Sequence, residues 1–179
     1  MGELREVIEA PLSREELAVR YRSLCDDPRF ENLPGKIELD SWGRILMSPA
    51  SNDHALVQGR LCRRLAALGG ESFVAASVLT SVGLFVPDVV WASAEFMRAH
   101  AGETPAGETP YTRAPELCIE VASPANSVKE LREKVDAYVG AGALEAWIAY
   151  PQTKRFEFFG LDGKRPQSVY AVDLSGLFD

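Results

Sequence analysis

The sequence predicts an α/β (α+β) domain with a mixed central β-sheet flanked by helices. Three observations predict it. Helix-start signatures recur along the chain, short β-branched and apolar runs lie between them, and no convincing domain boundary divides the 179 residues. That length fits one domain spanning residues 1–179 and is enough to bury a proper core.

Ser13-Arg14-Glu15-Glu16 is a capping box, which starts an N-terminal helix over about 13–26 that Asp27-Pro28 closes. Lys36 to Met47 reads as a hairpin turning at Asp40-Ser41-Trp42-Gly43, and Ser48-Pro49 ends it. A second helix starts after Ser51 and sets Val57, Leu61, Leu65 and Leu68 on one face before Gly69-Gly70 stops it. Strands are expected at about 73–79 and 82–92, followed by a short helix from Ser93 to Ala99.

The tandem repeat Ala101-Gly102-Glu103-Thr104-Pro105 and Ala106-Gly107-Glu108-Thr109-Pro110 is turn-rich and weakly apolar. It predicts a mobile surface loop over 100–114 with no chemistry of its own, beside a solvated His100. Leu117 to Ala122 reads as a strand, and Ser123-Pro124-Ala125-Asn126 turns the chain. A second capping box, Ser127-Val128-Lys129-Glu130, opens a helix ending near Gly140 and Gly142. Its expected apolar stripe is Val128, Leu131, Val135 and Tyr138. Three further strands are expected at about 145–150, 155–160 and 168–173.

Composition narrows the function. Apolar residues at 46% and charged residues at 25% are ordinary for a soluble globular protein. No stretch approaches the roughly 20 apolar residues that span a bilayer. The polar start Met1-Gly2-Glu3-Leu4-Arg5-Glu6 is no secretory signal. Cys25, Cys62 and Cys118 have neither disulfide-framework nor zinc spacing, which makes a reducing cytoplasm the expected location. A net charge of −7 argues against a nonspecific nucleic-acid binder, although acidic metal ligands add to the negative count. Arg60, Arg63 and Arg64 form a basic cluster that reads either as a solvated helix face or as a local basic surface. GxSxG and HExxH are both absent, which removes the usual signatures of serine-hydrolase and zinc-peptidase chemistry.

The chemistry-bearing feature is a pair of acids. Pro87-Asp88 sits in the apolar run Leu84 to Trp91, and Glu120 sits in the run Leu117 to Ala122. An ionised carboxylate in such surroundings is costly unless it is paired or coordinates a metal. The bland alternative is that each acid sits at a strand end and touches water. Two acids on adjacent strands point to a divalent-cation site. Asp88, Glu120 and a backbone carbonyl of the Glu120 strand, at Val121, would offer hard oxygens to Mg²⁺ or Mn²⁺.

Lys134 falls on the flank of the helix stripe beside Leu131 and Tyr138. It can snorkel to solvent or reach inward to the carboxylates, where its charge would orient water or stabilise a phosphoryl transition state. His54 faces inward from the first turn of the second helix, either as a structural histidine or as a proton shuttle or phosphate contact at the site edge. Glu38 in the hairpin is either a solvent-facing glutamate or a third acid.

These residues carry a resemblance. The ordered set Glu38, Gly43, Met47-Ser48-Pro49, His54, Pro87-Asp88, Glu120-Val121-Ala122-Ser123-Pro124, Lys134, Tyr138, Gly142 and Glu145-Ala146-Trp147-Ile148 resembles the bacterial Uma-two family over roughly residues 10 to 175. That family consists of restriction-endonuclease-like proteins of the PD-(D/E)XK nuclease superfamily. No single motif is specific, and the ordered set is much more so.

The resemblance implies a restriction-endonuclease-like fold and Mg²⁺-dependent phosphodiester hydrolysis, with DNA the expected partner. It implies Asp88 and Glu120 as metal ligands and Glu38 as the auxiliary acid. The superfamily lysine belongs two residues after the glutamate, where this chain has Ala122. In this family it sits on the following helix, which matches Lys134. Cutting both strands of a duplex often pairs two active sites, so a homodimer is a further expectation. The rival expectation is a catalytically inactive relative that keeps the fold as an interaction or regulatory protein.

Overall fold

The computed structural model describes residues 10–30, 35–48, 51–101 and 110–179. The strands divide between two sheets. β1 (Lys36–Asp40), β2 (Ile45–Ser48), β4 (Val78–Leu79) and β5 (Gly83–Phe85) form a small sheet in the order β2-β1-β5-β4. β3 (Glu71–Val74), β6 (Val89–Ala92), β7 (Leu117–Val121), β8 (Glu145–Tyr150), β9 (Arg155–Gly160) and β10 (Gly163–Arg165) form a larger one, ordered β10-β9-β8-β7-β6-β3. β7 and β8 run parallel and the other pairs antiparallel, so the larger sheet is mixed.

Helices cover both faces of the larger sheet. α4 (Val128–Gly140) packs on one, where Leu131, Val135 and Tyr138 meet Cys118, Ala146 and Ile148. α2 (Asn52–Leu65) packs on the other, where Val57, Leu61 and Leu65 meet Leu117, Ile119, Val121 and Trp147. The alternation along β7 assigns its side chains to the two faces by turns. α1 (Arg14–Cys25) covers the small sheet through Leu17 against Leu39, Leu79 and Leu84, and α3 (Ala94–Ala99) follows β6. Among the described residues, no helix is long and apolar enough to cross a membrane.

The capping boxes at Ser13 and Ser127 both form, and the Ser51 hydroxyl accepts from the His54 N–H at the start of α2. The hairpin turns where expected. The Asp40 carboxylate accepts the backbone N–H groups of Trp42 and Arg44, and Gly43 takes the left-handed conformation (φ +69°).

Several expectations are corrected. The run at 73–79 breaks at Ala75, whose φ is +57°, so β3 and β4 enter different sheets. The run at 82–92 breaks likewise, because Val86-Pro87-Asp88 carries the chain from β5 to β6 and Pro87 has no N–H for a ladder. Residues 168–173 are not a strand, and the edge partner of β9 is instead β10. Tyr170 and Val172 are partly buried in alternation, but as a segment laid against the α2 face of the sheet.

Residues 102–109 of the repeat lie outside the described residues, whereas Pro110, Tyr111 and Ala114 are buried, and the Tyr111 backbone bonds to Ser77 and Leu79. His100 stacks on Phe96 at 4.0 Å between ring centroids. Val128 is exposed, so the buried stripe of α4 begins at Leu131. Arg60 donates to the Leu177 carbonyl, and Arg64 donates to the Ser175 carbonyl and pairs with Asp173. Two of the three clustered arginines thus tie the C-terminal segment to α2.

A buried carboxylate site between two sheets

The register of β6 and β7 fixes the first pair of acids. Val90 lies opposite Cys118 and Val89 opposite Ile119. Continued one residue past the strand, that register sets Asp88 opposite Glu120. The Val121 N–H donates to Asp88 Oδ2 at 2.7 Å, which locks the two backbones together there.

β1 delivers the next two groups from the small sheet. Leu39 faces the core under α1, so period-two alternation turns Lys36 and Glu38 the other way, toward the larger sheet. α4 contributes Lys134 and Tyr138, one helical turn apart, and α2 contributes His54 and Gln58 in the same way.

Glu38, Asp88 and Glu120 are 2%, 2% and 3% exposed, so each needs partners. Glu38 Oε1 accepts the Val86 N–H (2.8 Å), and Lys134 Nζ bridges both its oxygens at 2.8 and 2.6 Å. Glu120 Oε1 accepts the Tyr138 hydroxyl at 2.6 Å and lies 3.8 Å from Lys134 Nζ. Asp88 Oδ1 lies 3.0 Å from His54 Nε2 and accepts from Gln58 at 3.2 Å.

Lys36 stands among all three. Its Nζ donates to the Val86 carbonyl at 2.5 Å and to Asp88 Oδ1 at 2.9 Å, and lies 3.6 Å from Glu120 and 3.9 Å from Glu38. Among the described residues, no buried side-chain nitrogen or oxygen lacks a hydrogen-bond partner.

The proton affinities follow from these contacts. Burial pushes the Asp88 carboxyl up, but the His54 hydrogen bond and the Lys36 ammonium pull it further down, well below the ordinary carboxylate range. Burial raises Glu120, with Asp88 and Glu38 adding to the effect against Lys36 and Lys134. Burial alone would lower Lys36, yet the charges of Glu120, Asp88 and Glu38 outweigh it and raise the amine above its usual value. The Tyr138 hydroxyl is raised by burial and by Glu120, so it donates as a neutral phenol.

A cleft of about 280 Å³ opens over the site, lined by Lys36, His54, Gln58, Asp88, Glu120 and Lys134 among others. It adjoins a second cleft through His54, Val121 and Ser123. Asn126 Oδ1 accepts the N–H and hydroxyl of Ser123, which shapes the turn at that rim.

Asp88, Glu120, Lys134, Glu38 and His54 therefore converge. Glu38 points into the site, not to solvent, and Lys134 reaches inward. Val121 presents its amide to Asp88, and the carbonyl observed on the central ammonium is that of Val86. Lys36 and Gln58 are polar members of the site that sequence reasoning missed, and Tyr138, placed there in the apolar stripe, brings its hydroxyl into the site. Lys36 was legible through its spacing of two from Glu38. Three carboxylates and a backbone carbonyl around one cation are hard-oxygen donors of the kind Mg²⁺ and Mn²⁺ take, so their chemistry fits a divalent ion. As the side chains stand, with Lys36 between them, no three His, Cys, Asp or Glu among the described residues are arranged to hold one.

Two packed sheets with helices on both faces, and acids meeting where they join, make this a restriction-endonuclease-like fold. A crystal structure of a putative nuclease belonging to DUF820 from Anabaena variabilis has the same fold, with a TM-score of 0.59 over 94% of this chain and 98% of that one at 16% identity. The profile of the Uma2 family, described as putative restriction endonuclease, matches residues 19–175, and the chain belongs to that family. A search of curated proteins found no match to the chain.

Proposed function

We propose that the protein is a metal-dependent nuclease that hydrolyses phosphodiester bonds in DNA. The observation that carries this reading is the convergence of Glu38, Asp88 and Glu120 from two sheets onto one cation position at the floor of a cleft. Asp88 and Glu120 would hold Mg²⁺ or Mn²⁺, with the Val86 carbonyl beside them and Glu38 as the auxiliary acid. Bound there, the ion supplies a hard Lewis acid that offsets charge on a scissile phosphate.

The chain's own groups do the rest. Glu38 fixes the Lys134 ammonium through both its oxygens, so that a defined positive charge borders the cleft for an attacking water or a phosphate oxygen. The His54 imidazole, held against Asp88 at the rim, can pass a proton to or from that water. Tyr138 keeps Glu120 oriented. Cleavage of both strands of a duplex would take two such sites, hence a homodimer. Among the described residues no disulfide joins Cys25, Cys62 or Cys118, in keeping with a cytoplasmic protein.

One observation favours a second reading. Lys36 and Lys134 already satisfy the three acids, as they would in a non-catalytic relative that keeps the fold for interaction. A cleavage assay separates the two. Plasmid and single-stranded DNA are incubated with Mg²⁺ or Mn²⁺, and the control is Asp88→Ala that circular dichroism shows to be folded. Metal-dependent cleavage by the wild type, lost in the variant, is the expected result. No cleavage of either substrate, or equal cleavage by the variant, would overturn the nuclease reading.

A further inference from the structure

We infer that Lys36 is the resident counter-ion of the metal position: its ammonium stands where the divalent ion would sit and swings into the cleft when that ion binds. The inference rests on the metal-centre reading above and deepens it.

The geometry is specific to this lysine. Its nitrogen contacts the Val86 carbonyl and Asp88 Oδ1 at 2.5 and 2.9 Å, and has Glu120 Oε2 and Glu38 Oε1 within 3.9 Å. These are the oxygens a hard cation would take. Lys134, by contrast, binds Glu38 from the side and reaches neither Asp88 nor the Val86 carbonyl within bonding distance.

A divalent ion of the Mg²⁺ type needs oxygens at about 2.0–2.1 Å, which an ammonium on those same oxygens does not allow. The two cations also repel, so they exclude each other. Charge favours the exchange. Three carboxylates against two ammonium groups leave one negative charge, and a divalent ion in place of the Lys36 ammonium, with Lys134 kept, leaves none.

The exit is open. Lys36 and Gly35 line the cleft, and the lysine stem is long and flexible. Once displaced, the ammonium stands in the space a phosphodiester would enter. The same residue thus balances the acids without the ion and faces the substrate with it.

Metal affinity gives the test. Metal-free wild type, Lys36→Met and Glu120→Gln are titrated calorimetrically with Mn²⁺. If the ammonium occupies the position most of the time, removing it raises Mn²⁺ affinity at least about tenfold, because only the unoccupied fraction can bind. Glu120→Gln should bind more weakly than wild type. Equal or weaker binding by Lys36→Met overturns the inference and leaves the metal centre standing. No binding by either wild type or Lys36→Met overturns both.

A second measurement needs no variant. Reductive methylation of the wild type, mapped by mass spectrometry, should run about tenfold faster at Lys36 with saturating Mn²⁺ than without it. An unchanged rate at Lys36 overturns the proposal.

Discussion

The Glu38 carboxylate is almost wholly buried, and its charge is met by one backbone N–H and the Lys134 ammonium, with the Lys36 ammonium farther off at 3.9 Å. Removing one member of such a pair leaves the other charged in a medium that solvates it poorly, whereas removing both is far milder. Lys134→Met should therefore lower the unfolding free energy by about 3 kcal/mol. The double variant Glu38→Gln with Lys134→Met should recover at least about 1 kcal/mol of that loss. Urea denaturation of the metal-free protein measures both. A double variant no more stable than Lys134→Met alone would show that the ammonium supports the fold through its stem and not through its charge. The sequence made the acids legible because each lay in an apolar run. It left Glu38 open, since a glutamate in an alternating hairpin ordinarily faces water. Only the second sheet, packed over β1, turns that outer face into an interior.

At the level of elements, helices were easier to read than strands. Hydroxyl caps at Ser13, Ser51 and Ser127 mark their starts with local chemistry that needs no tertiary context. The apolar run from Leu84 to Trp91 is nearly uniform in composition, yet it serves two sheets, and only Pro87 hints at the break. The segment with Tyr170 and Val172 shows the converse. Its alternation is a true burial pattern, but the chain lies across a sheet face and does not pair with an edge.

Two glycines separate local propensity from packing. Gly59 lies exposed in α2, and a Cβ added there would have no atom within 4 Å, so Gly59→Ala should stabilise the protein by about 1 kcal/mol. A Cβ at Gly83 would lie 2.4 Å from the Leu39 carbonyl of β1. Gly83→Ala should push β5 off the strand that carries Lys36 and Glu38, at a cost of about 2 kcal/mol. Thermal melts of both variants check this pair, and a Gly83→Ala protein as stable as wild type would show that β5 yields freely.

For the whole molecule, the balance of charge sets how it would meet a polyanion. The net charge is −7, and the cleft on the far side of Lys134 is lined by Asp40, Glu130, Glu133 and Asp136. On the proposed reading, long-range attraction of DNA would be weak, and contact would depend on the few cations at the site. Binding of a short duplex to the Asp88→Ala protein, followed by anisotropy, should weaken with salt at a log–log slope of magnitude about 2, one unit for each site lysine. A slope of about 6 would reveal an extended basic surface and overturn this picture.

The ties from Arg60 and Arg64 to the C-terminal segment bear on the same question. Both guanidinium groups are committed to their own chain, so the densest basic stretch of the sequence offers an incoming phosphate mostly Arg63. On the proposed reading, the inorganic ion then acts as an anchor for the nucleic acid as well as a reagent. Starved of that ion, the protein would keep only the weak hold of its two site lysines on the polymer.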